Sequence, residues 1–324
     1  MNNVAVVAIG RNEGDRLIGC LDSAIRQAPA VVYVDSGSTD RSVEMAERKG
    51  AVVVRLDMQR SFTAARARNA GFQRALMLSA DLEFVQFVDG DCEFESGWLA
   101  AAQAYLEQNP GYCAVFGRRR ERFPDQSVYN RLCDLEWAVP AGEAQYCGGD
   151  VMIRAAALRD AGGYRENLIA GEEPELCIRL RRLGGKIACL DTPMTIHDAA
   201  MSRFGQWWRR MQRAGHAFAE GAALHGAAPE HHWVTEHRRI WMWGVLTPCV
   251  IGGATVLVSP WCLLLAAIYP FQIMRLYLSQ RNLTQWPLLQ ATSFVVAKFP
   301  LAVGVLTYHA NKLRGHNAAL IEYK

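Results

Sequence analysis

From Ile240 to Met274 the chain carries no charged residue. An uncharged run of that length cannot coat a soluble domain, and about 20 apolar residues suffice for one membrane helix. Ile240–Val258 is one candidate span, and Trp261–Leu278 a second, separated by Ser259-Pro260. Between Asn282 and Asn311 the single charge is Lys298, and Leu288–Thr307 is a third apolar segment, interrupted by Lys298 and Pro300. Arg238 and Arg239 precede the first segment, Arg275 and Arg281 follow the second, and Lys312, Arg314 and Lys324 follow the third. Basic residues collect on the cytosolic side of membranes. Two tightly connected spans that return to the cytosol satisfy that tendency, and three complete spans do not. The third segment is then expected to be interfacial or re-entrant, with Lys298 snorkelling.

The remainder of the chain has another character. It is mixed and charged, as in an ordinary soluble domain. The 324 residues carry a formal net charge of only +3, which gives no support to a nucleic-acid partner. The N-terminus, MNNVAVVAIGRNEGD, lacks the basic and apolar regions of a signal peptide, so this part is expected in the cytosol. Nine scattered cysteines form no CxxC pair, which reads as free thiols rather than zinc ligands. Glu230-His231-His232 and His237 have the residue types of a metal site but irregular spacing, and are read as linker.

Short β-branched runs alternate with helical patterns over the first 90 residues. The strands are Val4–Ile9, Val31–Val34, Ala51–Leu56 and Phe84–Val88. Leu17, Ile18, Leu21 and Ile25 mark one intervening helix, and Phe62, Ala65, Phe72, Ala75 and Leu76 mark a longer one. Such alternation predicts an α/β, Rossmann-like fold on a mainly parallel sheet. Ligands of these sheets bind at the carboxyl ends of the strands. Asn12 and Glu13 follow the first strand, Asp35 the second, and Asp89-Gly90-Asp91 the fourth. A lone strand-end aspartate is usually a cap or a turn residue. Acidic ends on several strands of one edge call for a partner, and carboxylates one residue apart suit Mg2+ or Mn2+. Arg66 and Arg68, on the following small-residue helix, could face phosphate oxygens. No GxGxxG follows the first strand and no GxxxxGK[ST] occurs anywhere, so neither a dinucleotide nor a P-loop site is expected.

IGRNEGDRLIGCLDSA, VVYVDSGSTDRSVEMAE, ARARNAGF and FVDGDCEF resemble, in order and spacing, the family 2 glycosyltransferases, inverting enzymes with the nucleotide-sugar-binding A-type fold. The resemblance covers roughly residues 3–200. It implies that Asn12, Glu13 and Asp35 lie against the base and ribose. It places Arg66 or Arg68 near the nucleotide phosphates, Asp89 between ribose and metal, and Asp91 on the metal. Ala170-Gly171-Glu172-Glu173-Pro174-Glu175-Leu176 is similar to the family's G-E-D-x-D-L segment. The family's catalytic aspartate is Glu173 here, one methylene longer, so Glu172 is the alternative base. His197, after the Lys186–Leu190 strand, would approach the metal or diphosphate. Gly149 and Asp150 fall where the family has its acceptor pocket.

Met201–His225 interleaves Phe204, Trp207, Trp208, Met211 and Phe218 with arginines, as in a helix lying at a membrane surface. Gln206-Trp207-Trp208-Arg209-Arg210 resembles the Q-x-x-R-W segment of processive polysaccharide synthases, which puts Trp207 and Arg209 in the acceptor region. Arg210 replaces the family's tryptophan and weakens the processive reading.

Three regions are therefore expected: a catalytic domain over 1–200, an interface helix and linker over 201–238, and membrane-associated helices with a basic tail over 239–324. The expected function is transfer from a nucleoside-diphosphate sugar, a UDP-sugar being favoured, to a lipid-linked or membrane-proximal acceptor in exopolysaccharide or envelope glycan synthesis. The expected place is the cytoplasmic face of a bacterial inner membrane, with membrane lipid as a partner. The alternatives are a processive polysaccharide synthase and a catalytically inactive membrane scaffold that keeps the fold.

Overall fold

Six of the seven residues of β1 (Val4–Gly10) are buried. A strand apolar on both faces belongs at the centre of a helix-covered sheet. β2 (Ala30–Asp35) flanks it in parallel on one side, with β3 (Val52–Arg55) beyond, and β4 (Phe84–Asp89) flanks it on the other. The crossovers are α1 (Asp15–Ile25), α2 (Ser42–Arg48) and α3 (Ala64–Leu78). Gly71 lets α3 lie unusually close to the sheet. A Cβ there would stand 2.2 Å from Val7 Cγ1 and 2.9 Å from Val34 Cγ2. The parallel register sets Gly10 beside Asp35 and Ile9 beside Asp89, so both acids flank the end of β1.

Beyond β4 the sheet becomes mixed. It continues through β5 (Cys92–Phe94), β6 (Tyr112–Glu121), β7 (Gly142–Ala144), β8 (Val151–Arg154) and β9 (Lys186–His197). The nine strands run in the order β3-β2-β1-β4-β8-β6-β9-β5, with β7 also on β9. α4 (Trp98–Gln108), α5 (Val128–Glu136), α6 (Ala155–Asp160) and α7 (Glu172–Arg182) complete this region. The computed structural model describes residues 3–315, and Lys324, counted above among the basic residues, lies outside them. The chain divides into two compact units, Met1–Ala200 and Met201–Lys324.

β9 is longer than the Lys186–Leu190 strand read from the sequence. It runs on through Pro193, which pairs with Arg118 at an irregularity in the β6 register. Proline cannot donate to a regular ladder, and a bulge is where a strand tolerates it. The extension carries His197 into the sheet, beside Cys92 on one side and Glu121 on the other.

In the second unit, among the described residues, three helices are long and apolar enough to cross a membrane: Val234–Leu257, Pro260–Gln280 and Pro287–Arg314. They are called the first, second and third tail helices below. Val256, Leu257, Trp261, Leu264 and Phe271 on the first two are exposed, an extent of bare apolar surface that soluble domains avoid. The third, expected to be interfacial or re-entrant, also has the length and hydropathy of a span. It packs along α8 (Phe204–His225). A Cβ on Gly215 would stand 2.1 Å from the Leu301 carbonyl oxygen, and one on Gly304 2.0 Å from that of Gln212. The two backbones thus touch through small residues, as tightly packed helix pairs do. His216 and Tyr308 meet edge to face beside this crossing, at 5.3 Å. The aromatic stripe that read as a membrane-surface face therefore belongs to a helix with a protein partner of its own.

Candidate active site

Arg68 organises the site. Gly71, one turn later, presses α3 onto the sheet, and the Arg68 side chain is only 2 % exposed. Its Nη1 donates to Glu172 Oε1 at 2.9 Å, and its Nη2 donates to Asp89 Oδ1 at 3.1 Å. The same Nη2 lies 3.1 Å from Glu173 Oε1. Here the guanidinium faces three carboxylates, partners the sequence did not indicate. Arg66 likewise has partners of its own. Its guanidinium donates to the backbone carbonyls of Asp57, Arg60 and Ser61, and it stabilises the loop before α3.

Asp89 is held by a second arginine, which the sequence reading missed. Arg119 Nη2 lies 3.6 Å from Asp89 Oδ2 and 2.6 Å from Asp150 Oδ1. Asp150 is 1 % exposed and accepts from the Asp89 amide at 3.1 Å and from Thr195 Oγ1 at 2.7 Å. A carboxylate so placed braces the end of β4 from behind. Asp150, expected in the acceptor region, is thus buried behind Asp89. Gly149 stays at the site, where a Cβ would stand 2.5 Å from Arg68 Nη2 and 3.0 Å from Asp89 Oδ2.

Asp91 and His197 come together as expected. Nε2 of His197 lies 3.4 Å from Asp91 Oδ2. With Cys92 they form a buried group whose donor atoms lie within 4.8 Å of one another. Burial, with Asp150 nearby, pushes the Cys92 thiol well above its usual range. A carboxylate oxygen and an imidazole nitrogen fit a divalent cation such as Mn2+. Behind His197 stands Glu121, another residue absent from the sequence reading. Its Oε2 lies 3.4 Å from His197 Nδ1 and accepts from the Ala199 amide at 3.1 Å. The Trp137 ring meets the imidazole edge to face at 4.6 Å. Arg119 and Glu121 sit two residues apart on β6, and so on one face of it. That alternation in Arg118-Arg119-Arg120-Glu121 was the available signal.

The structure separates the two candidate bases. Glu172 is 3 % exposed and faces Arg68, whereas the Glu173 side chain keeps 16 % exposure. Burial, then the neighbouring Glu172, raise the Glu173 carboxyl to about 7, against the opposing pull of Arg68. Gly171 enters α7 at φ 81°, which aims this first turn and its acids at Arg68.

Asn12 and Asp35 shape the opposite rim. Asn12 Oδ1 accepts from the Thr39 amide at 2.7 Å, and the Asn12 amide donates to Ser38 Oγ at 2.9 Å. Asp35 Oδ2 accepts from the amides of Gly37 and Ser38, each at 3.0 Å. Glu13 pairs with Arg16 at 2.9 Å. Two strand-end loops are thereby fastened to each other. Trp207 and Arg209 belong to α8 in the second unit, Trp207 buried and Arg209 exposed.

Residues 5–147 match the family model described as Glycosyl transferase family 2. The matched segment is similar to that family over less than half of the chain. It carries β1 to β7, the D-x-D and both arginines of the site. The chain is 25 % identical over 208 residues to a pre-mycofactocin glycosyltransferase of Mycobacterium tuberculosis, a match covering 60 % of this chain and 43 % of the relative. It therefore spans less than half the length of that relative. Among solved structures, the mannosyltransferase PcManGT of Pyrobaculum calidifontis, in complex with GDP-Man and Mn2+, superposes with a TM-score of 0.64 at 19 % identity, over 96 % of this chain and 88 % of that one. Residues 1–349 of TarS from S. aureus, in complex with UDP-GlcNAc, give 0.52 at 17 % identity, over 97 % and 92 %. Both likenesses show the A-type α/β fold that the sequence resemblance implied.

Proposed function

We propose that the protein is a metal-dependent, inverting glycosyltransferase that moves a sugar from a nucleoside-diphosphate sugar to a membrane-proximal acceptor. The observation that carries this reading is the Arg68 bridge, which holds the Glu173 carboxyl beside the D-x-D, while burial and Glu172 raise it to about 7. The ligands named for the two superposed structures, GDP-Man with Mn2+ and UDP-GlcNAc, are of the proposed donor class. A UDP-sugar is the first donor to test.

In this mechanism Glu173 takes the proton from the acceptor hydroxyl, a role for which a pKa near the working pH is suited. Arg68 steadies its carboxylate. The hydroxyl oxygen attacks the anomeric carbon from the face opposite the diphosphate, so the configuration inverts. Asp91 and His197 would hold the divalent cation, with Asp89 beside them. Bound there, the cation would neutralise charge growing on the leaving diphosphate. Asn12, Glu13 and Asp35 shape the loops against which the nucleoside would rest. The uncharged run from Ile240 to Met274, flanked by basic residues, supports a position at the cytoplasmic face of a membrane and a lipid-linked acceptor.

Asp91→Ala tests the reading. It should abolish metal-dependent transfer and hydrolysis of the nucleotide sugar while leaving the circular-dichroism spectrum unchanged. Undiminished turnover in a folded variant would sink the metal assignment.

A further inference from the structure

A cavity of about 440 Å3 opens among the three tail helices, within the second unit. Arg239 and Trp243 of the first helix, Arg275 and Gln280 of the second, and Phe294 and Lys298 of the third line it. Three cations share the space, and no carboxylate lines it. Glu236 lies one turn before Arg239, yet among the described residues none of the three cations forms an ion pair. Gln280 Oε1 is buried without a hydrogen-bond partner.

The packing fixes this arrangement. A Cβ on Gly244 would stand 2.3 Å from the Lys298 carbonyl oxygen, so the first and third helices touch where Lys298 departs. Tyr269 Oη of the second helix donates to the Trp243 carbonyl at 2.8 Å. Arg239 precedes the uncharged run and Arg275 ends it. A hairpin that enters and leaves a bilayer on one side brings both to the same depth, that of the headgroups. Gly244 is five residues from Arg239, about 7 Å along the helix axis, so Lys298 joins them there. Like cations facing one cavity repel one another, and half-buried Lys298 is costly to desolvate, whereas Arg239 and Arg275 stay exposed. A bound anion relieves both costs, and basic pockets between membrane helices suit lipid headgroups.

We propose that this cavity binds the phosphate of an anionic membrane lipid, with Arg239, Arg275 and Lys298 on the phosphate and Trp243 and Phe294 against the apolar portion. The proposal rests on the reading that the tail meets a membrane.

The test uses the full chain in neutral detergent, offered short-chain phosphatidylglycerol, short-chain phosphatidylcholine or inorganic phosphate. Binding is read by native mass spectrometry and by thermal shift. Phosphatidylglycerol is expected to bind in clear preference to phosphatidylcholine, with no comparable response to inorganic phosphate. The combined Arg239→Gln, Arg275→Gln, Lys298→Gln variant should weaken that binding roughly 100-fold. The single substitutions, each expected near fivefold, carry the test if the combined variant is unstable. A charge-matched variant, Arg238→Gln, Arg281→Gln, Arg314→Gln, separates the cavity from general surface charge. Equal weakening by that variant, equal binding of the two lipids, or a full response to inorganic phosphate overturns the proposal. Flotation with neutral vesicles measures attachment separately. A chain that does not float overturns the membrane reading and this site with it, whereas one that floats without headgroup preference overturns this site alone.

Discussion

Arg68 Nη2 stands 3.1 Å from Glu173 Oε1, the arginine buried and the glutamate partly open to solvent. The same nitrogen holds Asp89, so one cation sets the spacing between the proposed base and the D-x-D. Removing one partner of a buried ionic group leaves the others uncompensated, at a cost of about 3–5 kcal/mol. Arg68→Ala is therefore expected to lower unfolding free energy by about that amount, measured by urea denaturation. An unchanged midpoint would mean that the three acids do not depend on it.

The two glutamates should fail in different ways. Glu173→Gln keeps the shape and removes the base, so kcat should fall by about 10²–10⁴ while donor binding, measured by calorimetry, is retained. Glu172→Gln should appear chiefly as a lower melting temperature, because its carboxylate faces Arg68. Equal kinetic losses in both folded variants would reassign the base.

The pH profile follows from Glu173. As a base it must be ionised, so kcat/KM should rise with pH through about 7. A bound divalent cation favours the carboxylate and should move this limb to lower pH. The sign for stability is opposite. A carboxyl raised from 4.5 favours the folded state most below its ordinary range, and that contribution is lost as pH rises towards 7. Glu173→Gln should flatten both profiles.

Glu121 touches no proposed substrate, but its carboxylate orients His197 so that Nε2 faces Asp91. Partners behind a metal ligand are typically worth 10–100-fold in metal affinity. Glu121→Gln is expected to weaken Mn2+ binding by about that factor in titration calorimetry without nucleotide. Metal affinity equal to that of the parent would make Glu121 a purely structural residue.

Gly149→Ala tests the closeness of the backbone to Arg68. The added methyl overlaps Arg68 Nη2, which is held by carboxylates, and overpacking of this kind costs about 1–3 kcal/mol. Transfer should fall with stability, whereas Gly148→Ala, where a Cβ meets nothing within 4 Å, should be near neutral.

The parallel half of the sheet was legible because its strands carry unbroken β-branched runs, and Asp35, Asp89 and Asp91 stood out as charges ending them. The irregular second half was harder to read. Pro193 in β9 looked like a strand end, since a bulge against β6 leaves no periodic mark. Arg119 and Glu121 were hidden in an arginine-rich strand that resembles a solvated surface. Arg66 and Arg68 were recognised as important residues, but their partners within the protein were not. Sequence spacing says which helix face an arginine occupies, and only the tertiary fold says that carbonyls or carboxylates wait there.

The glycine crossing between α8 and the third tail helix has a practical consequence. On charge alone, α8 looks like the last piece of the soluble portion, and a shortened protein would be designed to end near residue 238. Such a protein would lose Leu301, Gly304 and Tyr308 and present the bare Gly215–His216 face to solvent. It should aggregate, whereas a boundary at residue 200 removes both halves of the crossing together.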